Sequence, residues 1–170
     1  MIKNGLKYFY KIYKGIMLPK ITIPSIKKEP PKIYPSYEFK LNFDGCSKGN
    51  PGLAGAGAVI YKDNKEYWFD FMFIGENNSN NYAEYSGLII GLKKAKECGI
   101  KSILVEGDSL LVINQMKGLY KCKSDNLIHL YNLAKELEKS FDHIEYNHVM
   151  RNMNKRADYL SNLAIKDYEK

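Results

Sequence analysis

From residue 37 the chain alternates: Tyr37, Phe39, Leu41 and Phe43 fall on one side, and Glu38, Lys40, Asn42 and Asp44 on the other. A period of two predicts a strand over 37–44 with one apolar and one polar face, ended by the turn-rich run 45–52. A second strand over about 55–61 and a third over about 66–74 flank a Lys62-Asp63-Asn64-Lys65 turn, which makes the three an antiparallel meander. Residues 77–81 are polar and read as a loop. The period then changes: Leu88, Ile89, Leu92 and Ala95 recur at helical spacing, predicting a helix over about 81–98 that Gly99 stops. Ile103-Leu104-Val105 is short and wholly apolar, as in a strand buried on both faces. Helices are predicted over 109–117 and 125–139, the latter through Leu127, Leu130, Leu133, Ala134 and Leu137. A strand over 144–149 and a helix over about 154–168 close the chain.

The order β-β-β-α-β-α-α-β-α predicts an α/β domain whose five-stranded mixed sheet has three antiparallel strands extended by two parallel ones, flanked by helices. In open sheets of this kind, sites form at the carboxyl ends of strands. The segment before residue 37 is different. Ile2, Leu6, Phe9, Tyr13 and Ile16 make one helical stripe over 2–17, and the span 19–35 holds five of the six prolines, which predicts an extended linker. The chain thus divides into a basic arm with a Pro-rich linker, 1–36, and a domain, 37–170.

Charge sharpens that division. The net charge is +7, and residues 1–40 account for all of it, with nine lysines against Glu29 and Glu38; the remaining 17 basic and 17 acidic residues cancel. A basic arm on a neutral body suits a polyanionic partner such as nucleic acid. A lysine-rich solvated tail and an organellar presequence (amphipathic, basic, free of acids through residue 28) are the competing readings, the latter opposed by the lack of arginine. Cys46, Cys98 and Cys122 are scattered and show no C-x-x-C spacing, which favours a reducing, intracellular compartment, cytoplasmic or nuclear with organellar import left open. No stretch approaches the ~18–20 apolar residues of a membrane span.

The candidate chemistry is acidic. Asp44 and Asp108 are expected at strand ends and, if their strands are parallel neighbours, in one crevice; Glu84 and Asp158 are expected near helix starts. Carboxylates brought together resist ionisation, and a divalent cation removes that penalty; an oxygen-only donor set suits Mg2+ or Mn2+ rather than zinc. Singly, each acid has a plainer explanation: Asp108 as a helix cap, Glu84 and Asp158 as partners of a helix dipole. The run Gly52-Leu53-Ala54-Gly55-Ala56-Gly57 fails the G-x-G-x-x-G spacing and continues as a strand, so no nucleotide loop is expected.

The contexts of the acids carry a resemblance. Asp44-Gly45-Cys46-Ser47-Lys48-Gly49-Asn50-Pro51-Gly52 resembles the first active-site segment of type 1 ribonuclease H, and Asn80-Asn81-Tyr82-Ala83-Glu84 the second. Val105-Glu106-Gly107-Asp108-Ser109 resembles the third, and residues 148–158, reading HVMRNMNKRAD, the fourth. The resemblance implies a ribonuclease H-like fold and a phosphodiester hydrolase that cuts the RNA strand of RNA–DNA hybrids with two Mg2+ ions per site, for which Mn2+ can substitute. It implies that Asp44 bridges both ions, that Glu84 and Asp108 complete one site and Asp158 the other, and that His148 assists proton movement or product release. Asn50, Asn81 and Glu84, with backbone groups of Gly45 and Cys46, would contact the hybrid near the cut, and Asn80 the DNA strand. His129 and His143 match nothing in the family's pattern.

The chain departs from the best-known bacterial members, whose basic, tryptophan-rich protrusion grips the hybrid. Residues 117–124 offer only Lys117, Lys121 and Lys123, and the sole tryptophan, Trp68, lies in a predicted strand. The domain is similar in this to compact archaeal and reverse-transcriptase-like relatives, and the arm is expected to supply phosphate contacts instead. A monomer is expected. A 3′–5′ exonuclease of the same superfamily would show Asp-x-Glu, whereas Asp44 precedes Gly45-Cys46; a non-catalytic or differently specific binding module would be expected to have lost a carboxylate, and all four are present.

Overall fold

The computed structural model describes residues 9–13, 16–20 and 37–170. Contacts divide the chain into two units, Met1–Pro35 and Ser36–Lys170. In the first unit, β1 (Phe9–Tyr13) pairs antiparallel with β2 (Ile16–Lys20). This corrects the helical reading of 2–17 over its described residues: Phe9, Tyr10, Ile12, Tyr13 and Ile16 are aromatic or β-branched, and strand pairing suits them better than a helix does. Residues 2–8, 14 and 15 of that helix and 21–35 of the linker lie outside the described residues, while Pro19 and Lys20 of the linker belong to β2.

The second unit is a five-stranded sheet in the order β5-β4-β3-β6-β7. Strands β3 (Phe39–Gly49), β4 (Gly52–Lys62) and β5 (Lys65–Asn78) are antiparallel neighbours, and β6 (Ser102–Gly107) and β7 (His143–His148) extend the sheet in parallel. Helices α1 (Asn80–Glu97), α2 (Leu110–Met116) and α3 (Asp125–Glu138) cover one face, and α4 (Lys155–Tyr168) covers the other. Residues 117–124 form no helix.

The strands run longer than alternation predicts. The expected turn 45–52 is strand on both sides, because β3 and β4 stay paired down to Gly49 and Gly52. Asp44 is therefore inside β3 and not at its end, although pairing with β6 has stopped by then, at Asn42 and Glu106. The polar run 77–81 is likewise absorbed: β5 reaches Asn78, Ser79 caps α1 by accepting from Tyr82 N, and Asn80 is already helical. β6 is buried fully on one face and only partly on the other, where Leu104 and Glu106 lie.

The main core lies between the sheet and α1–α3, where Leu41, Phe43, Ile60, Leu88, Leu92, Ile103, Val105 and Ile113 are completely buried. A smaller core of Val59, Ala157 and Leu160 lies under α4. Since successive residues of β3 point to opposite faces, Leu41 and Phe43 enter the large core, while Asn42 and Asp44 are pressed under α4. The polar face read from Glu38, Lys40, Asn42 and Asp44 is thus solvated only in its first half; Asn42 and Asp44 are both 4% exposed.

Candidate active site

Two glycines bring the acids together. A Cβ on Gly45 would lie 2.0 Å from Glu84 N, so only glycine lets the start of α1 seat against β3 just beyond Asp44. On the opposite face a Cβ on Gly57, the strand partner of Asp44, would lie 2.6 Å from Ser161 N, so α4 closes on β4 beside Asp44. Glu84 reaches Asp44 from the α1 side, and Asp108, directly after β6, enters through the gap where β3 and β6 part. One carboxylate oxygen from each of Asp44, Glu84 and Asp108 lies within 4.8 Å of the others.

Water does not reach most of this cluster. Burial, reinforced by the charges of Asp108 and Asp158, pushes the Asp44 carboxyl up to about 7, with the Ser161 hydroxyl and Arg151 opposing. Burial also raises Glu84 well above the usual carboxylate range, aided by Asp44 and Asp108 and opposed by a Gly45 backbone hydrogen bond. Glu84 Oε2 is buried with no hydrogen-bond partner among the described residues. Such an oxygen is costly unless something else satisfies it. Three converging carboxylates, with one oxygen of Glu84 orphaned, fit a hard divalent cation.

Asp158 stands apart from the three. It lies in the first turn of α4, half-buried, and its Oδ1 accepts from Arg151 Nη2 at 2.5 Å. Ser161 links it to the cluster: its hydroxyl lies 2.5 Å from Asp44 Oδ2 and 2.9 Å from the Asp158 carbonyl oxygen. The capping explanation for Asp108 fails, since Ser109 is the N-cap of α2 and accepts from Val112 N. Glu84, the fifth helical residue, sits beyond the first turn expected for it, so a helix dipole does not account for it either.

His148, exposed at the end of β7, has Nε2 3.2 Å from the Asp108 carbonyl oxygen. Asn50 Oδ1 accepts from Asn80 N at 3.0 Å, which ties the turn between β3 and β4 to the start of α1. Asn80 and Asn81 are exposed, Gly45 is buried, and Cys46 is half-buried with its thiol pushed up by burial. Asn42, Arg151, Asn154 and Ser161 were not among the expected site residues. Ser161 had a legible signal, a lone hydroxyl three residues after Asp158 on the stripe formed by Ala157, Leu160 and Ala164. Asn42 had none, because alternation put it on the polar face.

Residues 42–164 match the protein family described as "Reverse transcriptase-like". A bifunctional protein of Mycobacterium tuberculosis is 42% identical over 126 residues, and the chain spans 35% of its length. The N-terminal RNase H domain of a protein of that organism, solved as a fusion with maltose binding protein, is 40% identical with a TM-score of 0.73, covering 76% of this chain and 94% of the other. RNase H1 of Halobacterium salinarum is 37% identical with a TM-score of 0.73, covering 76% of this chain and 98% of the other. An RNase H1 isolated from compost, solved in complex with an RNA/DNA hybrid, is 31% identical with a TM-score of 0.73, covering 78% of this chain and 99% of the other.

Proposed function

The chain belongs to the type 1 ribonuclease H family, and from that premise we propose that it is an endonuclease that hydrolyses the RNA strand of RNA–DNA hybrids. The observation that carries this reading is the buried cluster of Asp44, Glu84 and Asp108 with the orphaned Glu84 Oε2. In this reading Asp44, Glu84 and Asp108 hold one Mg2+ ion, and Asp44 with Asp158 holds a second; Mn2+ can replace either. Bound there, the ions supply a nucleophilic water at neutral pH and stabilise the leaving oxygen. The water oxygen bonds to phosphorus, the bond from phosphorus to the 3′ oxygen breaks, and the products carry 5′-phosphate and 3′-hydroxyl ends.

The chain's own groups complete the site. His148, next to the Asp108 main chain, moves a proton or helps product leave. Asn50, Asn80 and Asn81, with the backbone at Gly45 and Cys46, contact the hybrid, where only the RNA strand offers 2′-hydroxyls. The lysines of residues 1–36 neutralise phosphates. No helix among the described residues is long and apolar enough to cross a membrane. We place the protein inside the cell, acting as a monomer.

The reading is tested with labelled RNA–DNA hybrid, double-stranded RNA and double-stranded DNA in Mg2+, Mn2+ or EDTA. Cleavage of the hybrid alone, abolished by EDTA, is expected; cleavage that persists in EDTA or spares the hybrid would remove the mechanism. Deleting residues 1–36 should weaken binding and flatten its dependence on salt by roughly 0.9 in log–log slope for each phosphate that the arm neutralises.

A further inference from the structure

A buried pair of amides lies beneath the acids. Asn154, at the head of α4, is 1% exposed. Its Nδ2 donates to the Phe43 carbonyl oxygen at 2.8 Å and to Asp108 Oδ1 at 2.9 Å. Both amide hydrogens are thereby used, one on the β3 main chain beside Asp44 and the other on a carboxylate of the cluster. Asn154 Oδ1 accepts from Asn42 Nδ2 at 3.2 Å. Turned over, the Asn154 amide would set its oxygen against a carbonyl and a carboxylate, acceptor against acceptor. Those two acceptors fix which way the amide faces, and the Asn42 N–H, donating to the remaining oxygen, braces it there.

Packing does not explain Asn42. Its strand partner is Val59, in the apolar core under α4, and its own Oδ1 is buried with no partner among the described residues. Leucine has nearly the shape of asparagine; at position 42 it would remove the orphaned Oδ1 but leave Asn154 Oδ1 without its donor. Asp108, meanwhile, follows the end of β6 and is half-buried. Among the described residues, Asn154 is the side chain that donates to its carboxylate.

We propose that Asn154, oriented by Asn42, is a positioning residue that sets the Asp108 carboxylate against Asp44 and Glu84, joining β3, the end of β6 and α4 into one fixed cation-holding geometry. The inference rests on the reading of these acids as a cation site. Asn154 and Asn42 act through Asp108 and touch neither substrate nor cation. Because they act in series, losing either has the same consequence: the carboxylate is free to turn, and one of three donors is no longer preorganised.

Calorimetric titration of Mg2+ and Mn2+ into the metal-free protein tests this, with thermal melting of the same samples. Asn42→Leu and Asn154→Leu should each bind both ions about 10- to 100-fold more weakly than the wild type. Asn42→Leu exchanges one orphaned buried oxygen, its own Oδ1, for another, Asn154 Oδ1, so it should melt close to the wild-type temperature, which separates a positioning role from a structural one. The double variant should bind no more weakly than Asn154→Leu alone. Wild-type affinity in a folded Asn42→Leu protein overturns the proposal, and if Asn154→Leu does not fold, that variant alone decides. A wild-type protein that binds neither ion removes instead the cation-site reading beneath it.

Discussion

The two faces of the sheet use the same strands for opposite ends. Toward α1–α3, β3 and β4 present Leu41, Phe43, Ala58 and Ile60, all fully buried among apolar neighbours. Toward α4 the intervening residues are Asn42, Asp44, Gly57 and Val59, and the helix answers with Ala157, Leu160 and Ser161. Fully burying one large apolar side chain is worth about 1.5–3 kcal/mol, and the first face buries many. Burying an unpaired carboxylate costs several kcal/mol, and the second face together with Glu84 does so more than once. Stability is concentrated on one face and chemistry on the other, one residue apart along β3.

The largest expected effect is on the chemical face. On the proposed mechanism, Asp44→Asn should lower hybrid cleavage by about a thousandfold or more, because bound ions would supply several kcal/mol to the transition state and would lose a carboxylate that holds them. In the metal-free protein the same substitution should raise the melting temperature, since a buried charge is gone. Loss of both activity and stability would break the comparison. The apolar face should behave in the opposite sense. Leu88→Ala, within the fully buried core, should cost about 2–5 kcal/mol in denaturant titrations while leaving kcat of the folded enzyme close to wild type.

A pH series sharpens the contrast further. The Asp44 carboxyl is raised from 3.8 to about 7, so the folded metal-free protein holds a proton that the unfolded chain has released. Stability from this group is full below about 4 and is lost as pH rises to about 7, the reverse of an ion-paired aspartate; Glu84, also raised by burial, adds to the loss in the same direction. Saturating Mg2+ should flatten the profile, and its affinity should rise with pH through about 7 as the ion displaces protons. Melting curves across pH 4–8 with and without Mg2+ measure both. The smallest effect is expected from Arg151→Ala. The Arg151 side chain is 75% exposed, so its pair with Asp158 contributes at most about 1 kcal/mol to stability. Its removal should leave the melting temperature nearly unchanged.

Elements with a strong internal period were legible. The amphipathic stripe of α3 is buried at Leu127, Leu130, Ala134 and Leu137, as its spacing predicts, with Leu133 left 39% exposed. Turn-forming residues misled where pairing overrode them: the Gly- and Asn-rich stretch after Asp44 is strand to Gly49 because β4 supplies hydrogen bonds along its whole length. The hairpin β1–β2 shows the same limit, since an apolar spacing of three and four also fits aromatic residues paired across strands. Asp158 was legible as an acid but not as the partner of Arg151, a pairing made across seven residues and a turn of 3-10 helix, Arg151–Met153.

The information written along the chain is local and periodic. It holds the order of strands and helices from residue 37 onward, the motifs around Asp44, Glu84, Asp108 and Asp158, and through them the family. Only the tertiary structure decided that alternate residues of β3 part into an apolar core and a buried polar layer, since α4, more than a hundred residues away, covers the second face. It likewise decided that Glu84 Oε2 has no partner among the described residues and that Asn154 holds Asp108. These are matters of which groups exclude water from one another, and that depends on distances in space that no spacing along the chain encodes.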